Sequence, residues 1–242
     1  MIYALHGFLG LASDFDFLKP HIKSLEAEDL WESFSNHSLR EWAERKSLEF
    51  DLRFKDSSEP RILLGYSMGG RLAMHLLLAR PKLWSAAILV SANPGVSSID
   101  ERMARMDLDF KWSQKFLKSE WNHVVREWQE QSIFKVKKPL PDQIKLEREE
   151  SYYDRKTLAD ALMLWSLSKQ DNLALKMMSV SAPVLWVAGE DDEKYCDLLC
   201  GFPQVASSHQ FHKITQASHR CPWDNPQEFI RLVCEFLKAL EK

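Results

Sequence analysis

The sequence predicts an α/β fold, a mostly parallel sheet with helices on both faces, and three observations predict it. Short apolar runs alternate with longer stretches of helical periodicity. One such run, Arg61-Ile62-Leu63-Leu64, passes through Gly65-Tyr66-Ser67-Met68-Gly69-Gly70 straight into the helical Arg71-Leu72-Ala73-Met74-His75-Leu76-Leu77-Leu78. Carboxylates and a histidine follow the last two apolar runs, at the strand ends where open parallel sheets carry their functional groups.

Taken in order, Ile2 to Leu5 forms a strand at the very first residues, which leaves no room for a preceding N-terminal hairpin. Glu26 to Leu30 adds a strand despite Glu28 and Asp29. Ile62 to Leu64, Ala86 to Ser91, Val184 to Ala188 and Gln210 to Ile214 complete the sheet, joined by helices in right-handed crossovers. Between Val96 and Met178 only helical patterns occur, with Trp112, Trp121, Trp128 and Trp165 among charged residues. An insertion after a strand's C-terminal end sits over the active-site crevice and can serve as a lid. Most of its tryptophans are expected to pack its own small core, with Trp112 and Trp128 the candidates for lining a pocket. The expected organisation is a core of residues 1–95 and 179–242 and a helical lid of residues 96–178, with no internal repeat or flexible linker.

Composition narrows the function. A chain of 242 residues, 45% hydrophobic and 28% charged, is long enough for one sizeable core. A net charge of -3 offers no electrostatic footprint for nucleic acid or an anionic membrane, so neither is expected as a partner. Met1-Ile2-Tyr3-Ala4-Leu5-His6-Gly7 lacks the basic region of a signal peptide, and no apolar run approaches a membrane span. Cys196 and Cys200 stand at helical spacing without a second pair, so the four cysteines read as free thiols in a reducing cytoplasm, with no metal and no cofactor expected. Oligomeric state is not legible.

The chemistry centres on Ser67. A tight strand-to-helix turn strains the serine's backbone, lifts its hydroxyl clear of the sheet, and demands small residues at Gly65 and Gly69. The Met68 N–H then opens a helix whose aligned dipoles favour a developing negative charge. A serine hydroxyl needs a histidine to take its proton, and the histidine needs a carboxylate to hold its tautomer. Gly189-Glu190-Asp191-Asp192 supplies the acid, with Asp192 preferred and Asp191 and Glu190 as rivals. His219, in Gln216-Ala217-Ser218-His219-Arg220, is the expected general base. His6-Gly7-Phe8-Leu9-Gly10 ends the first strand in a turn that aims the Phe8 N–H at the site as a second oxyanion donor beside Met68, while His6 itself holds the loop in shape.

With serine, acid and histidine in that order, the chain resembles the α/β-hydrolase superfamily over nearly its whole length, and an α/β-hydrolase fold is expected. Gly65 to Met74, then Asn93-Pro94-Gly95, Glu101-Arg102 to Arg105, Trp112, Phe116-Leu117 and Glu127-Trp128, look like the 2-succinyl-6-hydroxy-2,4-cyclohexadiene-1-carboxylate synthases of menaquinone biosynthesis. In that family the serine triad removes a proton from a cyclohexene bearing an enolpyruvyl ether, pyruvate leaves, and arginines bind the substrate's carboxylates. The resemblance implies a cytoplasmic carbon-oxygen lyase acting on a small anionic substrate, with Arg71 and Arg105 as carboxylate clamps, Trp128 a pocket wall and Tyr66 a neighbour of the nucleophile.

Two departures from the family pattern stand out. The Pro-Gly-rich turn after the second strand is replaced by Asp29-Leu30-Trp31-Glu32-Ser33-Phe34-Ser35, and Glu150 takes the place of a third lid arginine, with Arg148 close by in sequence as a substitute. The alternatives are therefore a carboxylester hydrolase, like the related pimeloyl-carrier-protein methyl ester esterases, acting on a small or carrier-linked ester, and a non-catalytic binding protein of the same fold.

Overall fold

The computed structural model describes residues 1–241. Six strands, β1 (Ile2–Leu5), β2 (Leu25–Glu28), β3 (Ile62–Tyr66), β4 (Ala86–Val90), β5 (Val184–Gly189) and β6 (His209–Ile214), form one sheet in the order β2-β1-β3-β4-β5-β6. All neighbours run parallel, with Leu5 opposite Gly65, Tyr66 opposite Val90, and Gly189 opposite Ile214. Order reversal at β1 and β3 opens a crevice at the carboxyl ends of the strands, where ligands bind in such sheets. His6 and Ser67 follow those two strands directly.

Side chains alternate across the sheet. Tyr3 and Leu5 point into one core with Trp42 and Phe50 of α1 (Leu39–Arg53) and with Leu72 and Leu76 of α2 (Met68–Ala79). Ile2 and Ala4 point into the opposite core. That core holds Phe15 and Leu18 of a short 3-10 turn and Phe229 and Val233 near the C-terminus. The first core also takes the insertion's last helix. Helix α1 starts at Ser38, whose hydroxyl accepts the Glu41 N–H while Glu41 reaches back to the Ser38 N–H, a reciprocal capping box.

The segment between β4 and β5 contains α3 (Ile99–Lys118), α4 (Trp121–Gln129), α5 (Arg155–Leu164) and α6 (Ala174–Met178), with no strand among the described residues. Helices α3, α4 and α5 share a core of Phe116, Trp121, Val124 and Leu158 that closes over Leu9 of the β1 loop. The expectation of helix throughout this segment needs correction. Residues 135–149 form no regular structure apart from isolated turns, because Pro139 and Pro141 lack an N–H and turn the preceding residues away from helical backbone. Among the contacts that pin the strap, the Lys137 N–H donates to Asp191, the Ile144 N–H to the Trp223 carbonyl, and Trp121 Nε1–H to the Arg148 carbonyl. The second strand also ends sooner than expected, at Glu28, because the Asp29 carboxylate accepts the N–H groups of Trp31 and Glu32 and starts a turn.

After β5 come α7 (Glu193–Leu199) and α8 (Phe202–Val205), and after β6 come α9 (Cys221–Asp224) and α10 (Pro226–Leu240). Asn225 caps α10 and Pro226 occupies its first position, a pairing suited to a helix start. All four cysteines are free thiols, and no helix among the described residues is long and apolar enough to cross a membrane.

Candidate active site

Ser67 sits between β3 and α2 at φ 51° and ψ -110°, a conformation an L residue adopts only under constraint. The constraint is packing. A Cβ at Gly69 would lie 2.1 Å from the Leu5 carbonyl oxygen, and one at Gly65 would lie 2.5 Å from the Gly70 Cα, so the helix crosses β1 and β3 at backbone contact. Ser67 is thereby presented partly accessible at the crevice while the residues around it are buried.

His219 lies between the serine and an acid. Its Nε2 is 3.0 Å from Ser67 Oγ and its Nδ1 is 2.7 Å from Asp192 Oδ2. The imidazole and the Asp192 carboxylate are almost wholly buried. The two rival acids are occupied elsewhere: Asp191 accepts the Lys137 N–H at 2.7 Å and Glu190 the Gln216 N–H at 3.2 Å. The histidine loop is itself anchored. Ser91 Oγ–H donates to the His219 carbonyl, the His219 N–H donates to Ile133 of the insertion, and Ser218 binds Asp224.

Phe8 and Met68 border the same cavity as Ser67. Met68 is the first residue of α2, so no helical carbonyl one turn earlier claims its N–H, and the Phe8 N–H has no acceptor among the described residues. His6 holds this loop: its Nε2 accepts the Leu30 N–H at 3.0 Å, which leaves Nδ1–H to donate to the Gly7 carbonyl at 2.8 Å. Trp31, standing where the family turn is absent, donates its indole N–H to the Gly10 carbonyl at 2.6 Å and braces the loop from outside.

The two sequence-expected arginines both reach the cavity, in different states. Arg71 is 7% exposed and donates to Gln170 Oε1 at 3.2 Å, while the Gln170 amide N–H donates to the Asn93 carbonyl. No carboxylate among the described residues pairs with it. Burial, then the nearby Arg105, lowers its pKa to about 10, so it remains cationic at neutral pH. Arg105 is already neutralised by the buried Asp109 at 2.8 Å, and Asp109 also accepts from Ser166 Oγ. Arg148 does not reach toward Arg71 but forms a buried two-pronged pair with Asp14 at 2.7 and 3.0 Å. Glu150 pairs with Arg155.

Known proteins share the fold. A family model described as serine aminopeptidase, S33, an α/β-hydrolase family, matches residues 49–198, more than half of the chain. The chain belongs to this α/β-hydrolase family. A 2-succinyl-6-hydroxy-2,4-cyclohexadiene-1-carboxylate synthase of Serratia proteamaculans is 28% identical over 178 residues, covering 72% of this chain and 67% of the relative. A Haemophilus influenzae protein provisionally given the same name is 27% identical over 254 residues, 96% of this chain and 95% of its own length. A Bacillus subtilis protein named in the same provisional way is 29% identical over 180 residues, 74% of this chain and 66% of its own. The matched stretch therefore spans slightly under two thirds of the Bacillus relative. Among solved structures, MenH from S. aureus matches with a TM-score of 0.83 at 20% identity, covering 100% of this chain and 94% of that one. A thermophilic esterase from Thermogutta terrifontis matches with a TM-score of 0.75 at 14% identity, covering 100% and 90%. At those identities the superpositions establish the α/β-hydrolase fold.

Other residues of this α/β-hydrolase's cavity escaped sequence reasoning. Tyr195 lies one turn beyond Asp192 on α7, its ring edge-on to His219 at 4.6 Å, and burial pushes its phenol pKa up to about 12. Asp109 was discoverable, since it stands four residues after Arg105 on one helix face. Trp128 lines the cavity as expected, but Trp112 does not: it packs against Trp128 at 4.9 Å inside the insertion core, and Trp165 takes the lining position instead.

Two buried histidines give the fold a pH dependence. Burial lowers the pKa of His6 to about 4, and burial, then Arg71, lowers that of His75 to about 4. The unfolded chain takes up these protons near pH 6.5 while the native state does not, so stability is full above pH 6.5 and is lost as pH falls toward 4. At pH 5 the loss is about 2 kcal/mol per histidine. Melting temperature should fall between pH 7 and pH 5, and His75→Leu, which removes one of the two protonations, should make that fall shallower. An equal fall in the variant counts against the assignment.

Proposed function

We propose that this α/β-hydrolase-fold enzyme is a carbon-oxygen lyase that eliminates pyruvate from a menaquinone-pathway cyclohexene intermediate to give 2-succinyl-6-hydroxy-2,4-cyclohexadiene-1-carboxylate. Ser67, His219 and Asp192 are the catalytic residues of this reading. His219 Nε2 takes the Ser67 hydroxyl proton, and Ser67 Oγ takes a proton from a ring carbon of the substrate. The electron pair released forms a ring double bond as the C–O bond to the enolpyruvyl group breaks; the pyruvate enolate that leaves takes the proton held on His219 Nε2 and tautomerises to pyruvate, which restores the neutral imidazole. Asp192 holds His219 in the tautomer that accepts at Nε2 and stabilises the imidazolium. The N–H groups of Phe8 and Met68 receive the charge that develops on an enolate oxygen, and each is worth about a hundredfold or more in rate.

One observation carries the choice of substrate class: Arg71 is a buried cation, without a carboxylate partner, in the cavity that holds Ser67. A buried charge is costly unless paired, so the site is built for an anion to complete it. Trp128 supplies a wall of that cavity, and Tyr66 lies immediately before the nucleophile in the chain. The names of the curated relatives agree with this reading. The pairing of Arg105 with Asp109 favours a second reading, a carboxylester hydrolase, because it leaves one cation where a polyanionic substrate calls for more.

The test compares substrates in one protein. Arg71→Met should lower kcat/KM for the anionic cyclohexene, relative to a neutral aryl ester, by ten- to a hundredfold, the worth of a charge-assisted hydrogen bond of about 1.5 to 3 kcal/mol. Failure of the unsubstituted protein to convert the cyclohexene, or an equal effect of Arg71→Met on both substrates, rejects the lyase in favour of the esterase.

A further inference from the structure

The loops that carry Asp192 and His219 are both tied to one short stretch of the insertion, Ile133 to Lys137. Ser132 to Phe134 is a single 3-10 turn, closed by the Phe134 N–H on the Gln131 carbonyl and the Lys135 N–H on the Ser132 carbonyl. In a continuing α-helix the Lys137 N–H would bond the Ile133 carbonyl, but Pro139 and Pro141 stop helix formation here. Both halves of that missing bond are used elsewhere. The Lys137 N–H donates to Asp191 Oδ2 at 2.7 Å, and the Ile133 carbonyl accepts the His219 N–H at 3.1 Å. The Lys137 ammonium adds a bond to Glu193 at 3.1 Å, so the insertion grips the residues on either side of Asp192. The Asp191 carboxylate is 8% exposed, which shields its bond from water.

Phe134 lies between these two ties. Its ring stands 5.9 Å from that of His219, and the guanidinium of Arg220, the residue after the histidine, lies 4.9 Å over it. Tyr195 of α7 and Tyr66 of β3 approach the same imidazole at 4.6 and 5.7 Å, so the sheet core supplies two of the rings around it and the insertion the third. The imidazole has little freedom to spare, since Nε2 must stay 3.0 Å from Ser67 Oγ while Nδ1 stays 2.7 Å from Asp192. Phe134, His219 and Ser67 border one cavity. The phenyl ring therefore fills space into which the imidazole would otherwise turn, away from the serine.

We propose that Ile133 to Lys137 is a clamp by which the insertion holds the acid and the base of the triad in register, and that Phe134 is its positioning residue, acting on the reactivity of Ser67 through His219. The inference rests on the reading of Ser67, His219 and Asp192 as a triad, and it holds for a lyase and an esterase alike. A displacement of about 1 Å at a reacting group costs on the order of a hundredfold in rate, so a clamp of this kind bears directly on the proton transfer.

Labelling with an alkyl fluorophosphonate tests this without the natural substrate: Ser67 Oγ attacks phosphorus, its proton passes to His219, and fluoride leaves. Phe134→Ala should lower kinact by about tenfold or more with KI nearly unchanged, and Phe134→Leu, which refills most of the space, should recover most of the rate. Labelling of both variants should still run to completion. A folding defect lowers the final labelled fraction instead of the rate, and loss of a mere cavity wall raises KI instead of lowering kinact; either result overturns the positioning role, as does a kinact of Phe134→Ala within about twofold of the unsubstituted protein. Thermal melts establish that each variant is folded, and Phe134→Val replaces Phe134→Ala if the latter is not. An unsubstituted protein that is not labelled at Ser67 rejects the triad and the clamp with it. Labelling that is rapid and indifferent to Phe134 rejects the clamp and leaves the triad standing.

Discussion

Ser67→Ala is expected to lower turnover by about 10⁴-fold or more, His219→Ala to do the same, and the double variant to lose little beyond either single one. The reason is geometric. Ser67 Oγ, His219 Nε2, His219 Nδ1 and Asp192 Oδ2 form one line of hydrogen bonds at 3.0 and 2.7 Å, so a proton leaving the serine has one destination and the charge it creates has one partner. With either residue gone, the other has no reaction left to assist, and what remains comes from substrate binding and the oxyanion donors. The measurement is turnover of the cyclohexene and of an aryl ester by the three variants. Losses that multiply would mean that serine and histidine act independently and would overturn the proposed triad.

The second large effect is on the fold. A Cβ at Gly69 would meet the Leu5 carbonyl oxygen at 2.1 Å and the His6 carbonyl oxygen at 2.5 Å, both backbone atoms of β1 and the loop that follows it. Neither can rotate away, so Gly69→Ala must push α2 off the sheet, with a cost above the usual 1 to 3 kcal/mol of an overpacked core and on the order of 4 kcal/mol. For a chain of this size that corresponds to a melting temperature lower by about 10 °C. Gly201→Ala is the matched control: no heavy atom lies within 4 Å of its added Cβ and its φ of -78° suits alanine, so it should leave stability unchanged or slightly raised. A Gly69→Ala protein that melts with the Gly201 variant would show that helix and strand have slack at the elbow. Reduced turnover in Gly69→Ala is expected as well, since the same displacement carries Ser67 and the Met68 N–H away from His219.

Much of the site is legible in the amino-acid sequence because it is written locally. The elbow lies within six consecutive residues, Gly65 to Gly70, and its requirement for small residues comes from the backbone crossing they permit. Strand positions are legible for the same reason: runs such as Ile62 to Tyr66 and Val184 to Gly189 are buried on both faces and so are continuously apolar. The departures fall where neighbours compete. Strand β2 stops two residues early because the Asp29 side chain captures two backbone N–H groups, and the strap over 135–149 loses its helix to two prolines whose effect on a mixed polar segment outweighs its periodicity.

By itself, then, the sequence determined the α/β fold, the nucleophile turn and the order of serine, acid and histidine, all of which follow from residues adjacent in the chain. Tertiary structure alone decided which of Glu190, Asp191 and Asp192 meets the histidine, because the first two are drawn off by N–H groups of Gln216 and Lys137 that only folding brings near. It also decided which arginines are free. Arg148 is spent on Asp14, 134 residues away, and Arg71 rests on the neutral Gln170, 99 residues away, so that one cation is compensated and the other is not. Whether a buried charge is available to a ligand depends on what is packed beside it, and packing at such separations has no signature in local sequence.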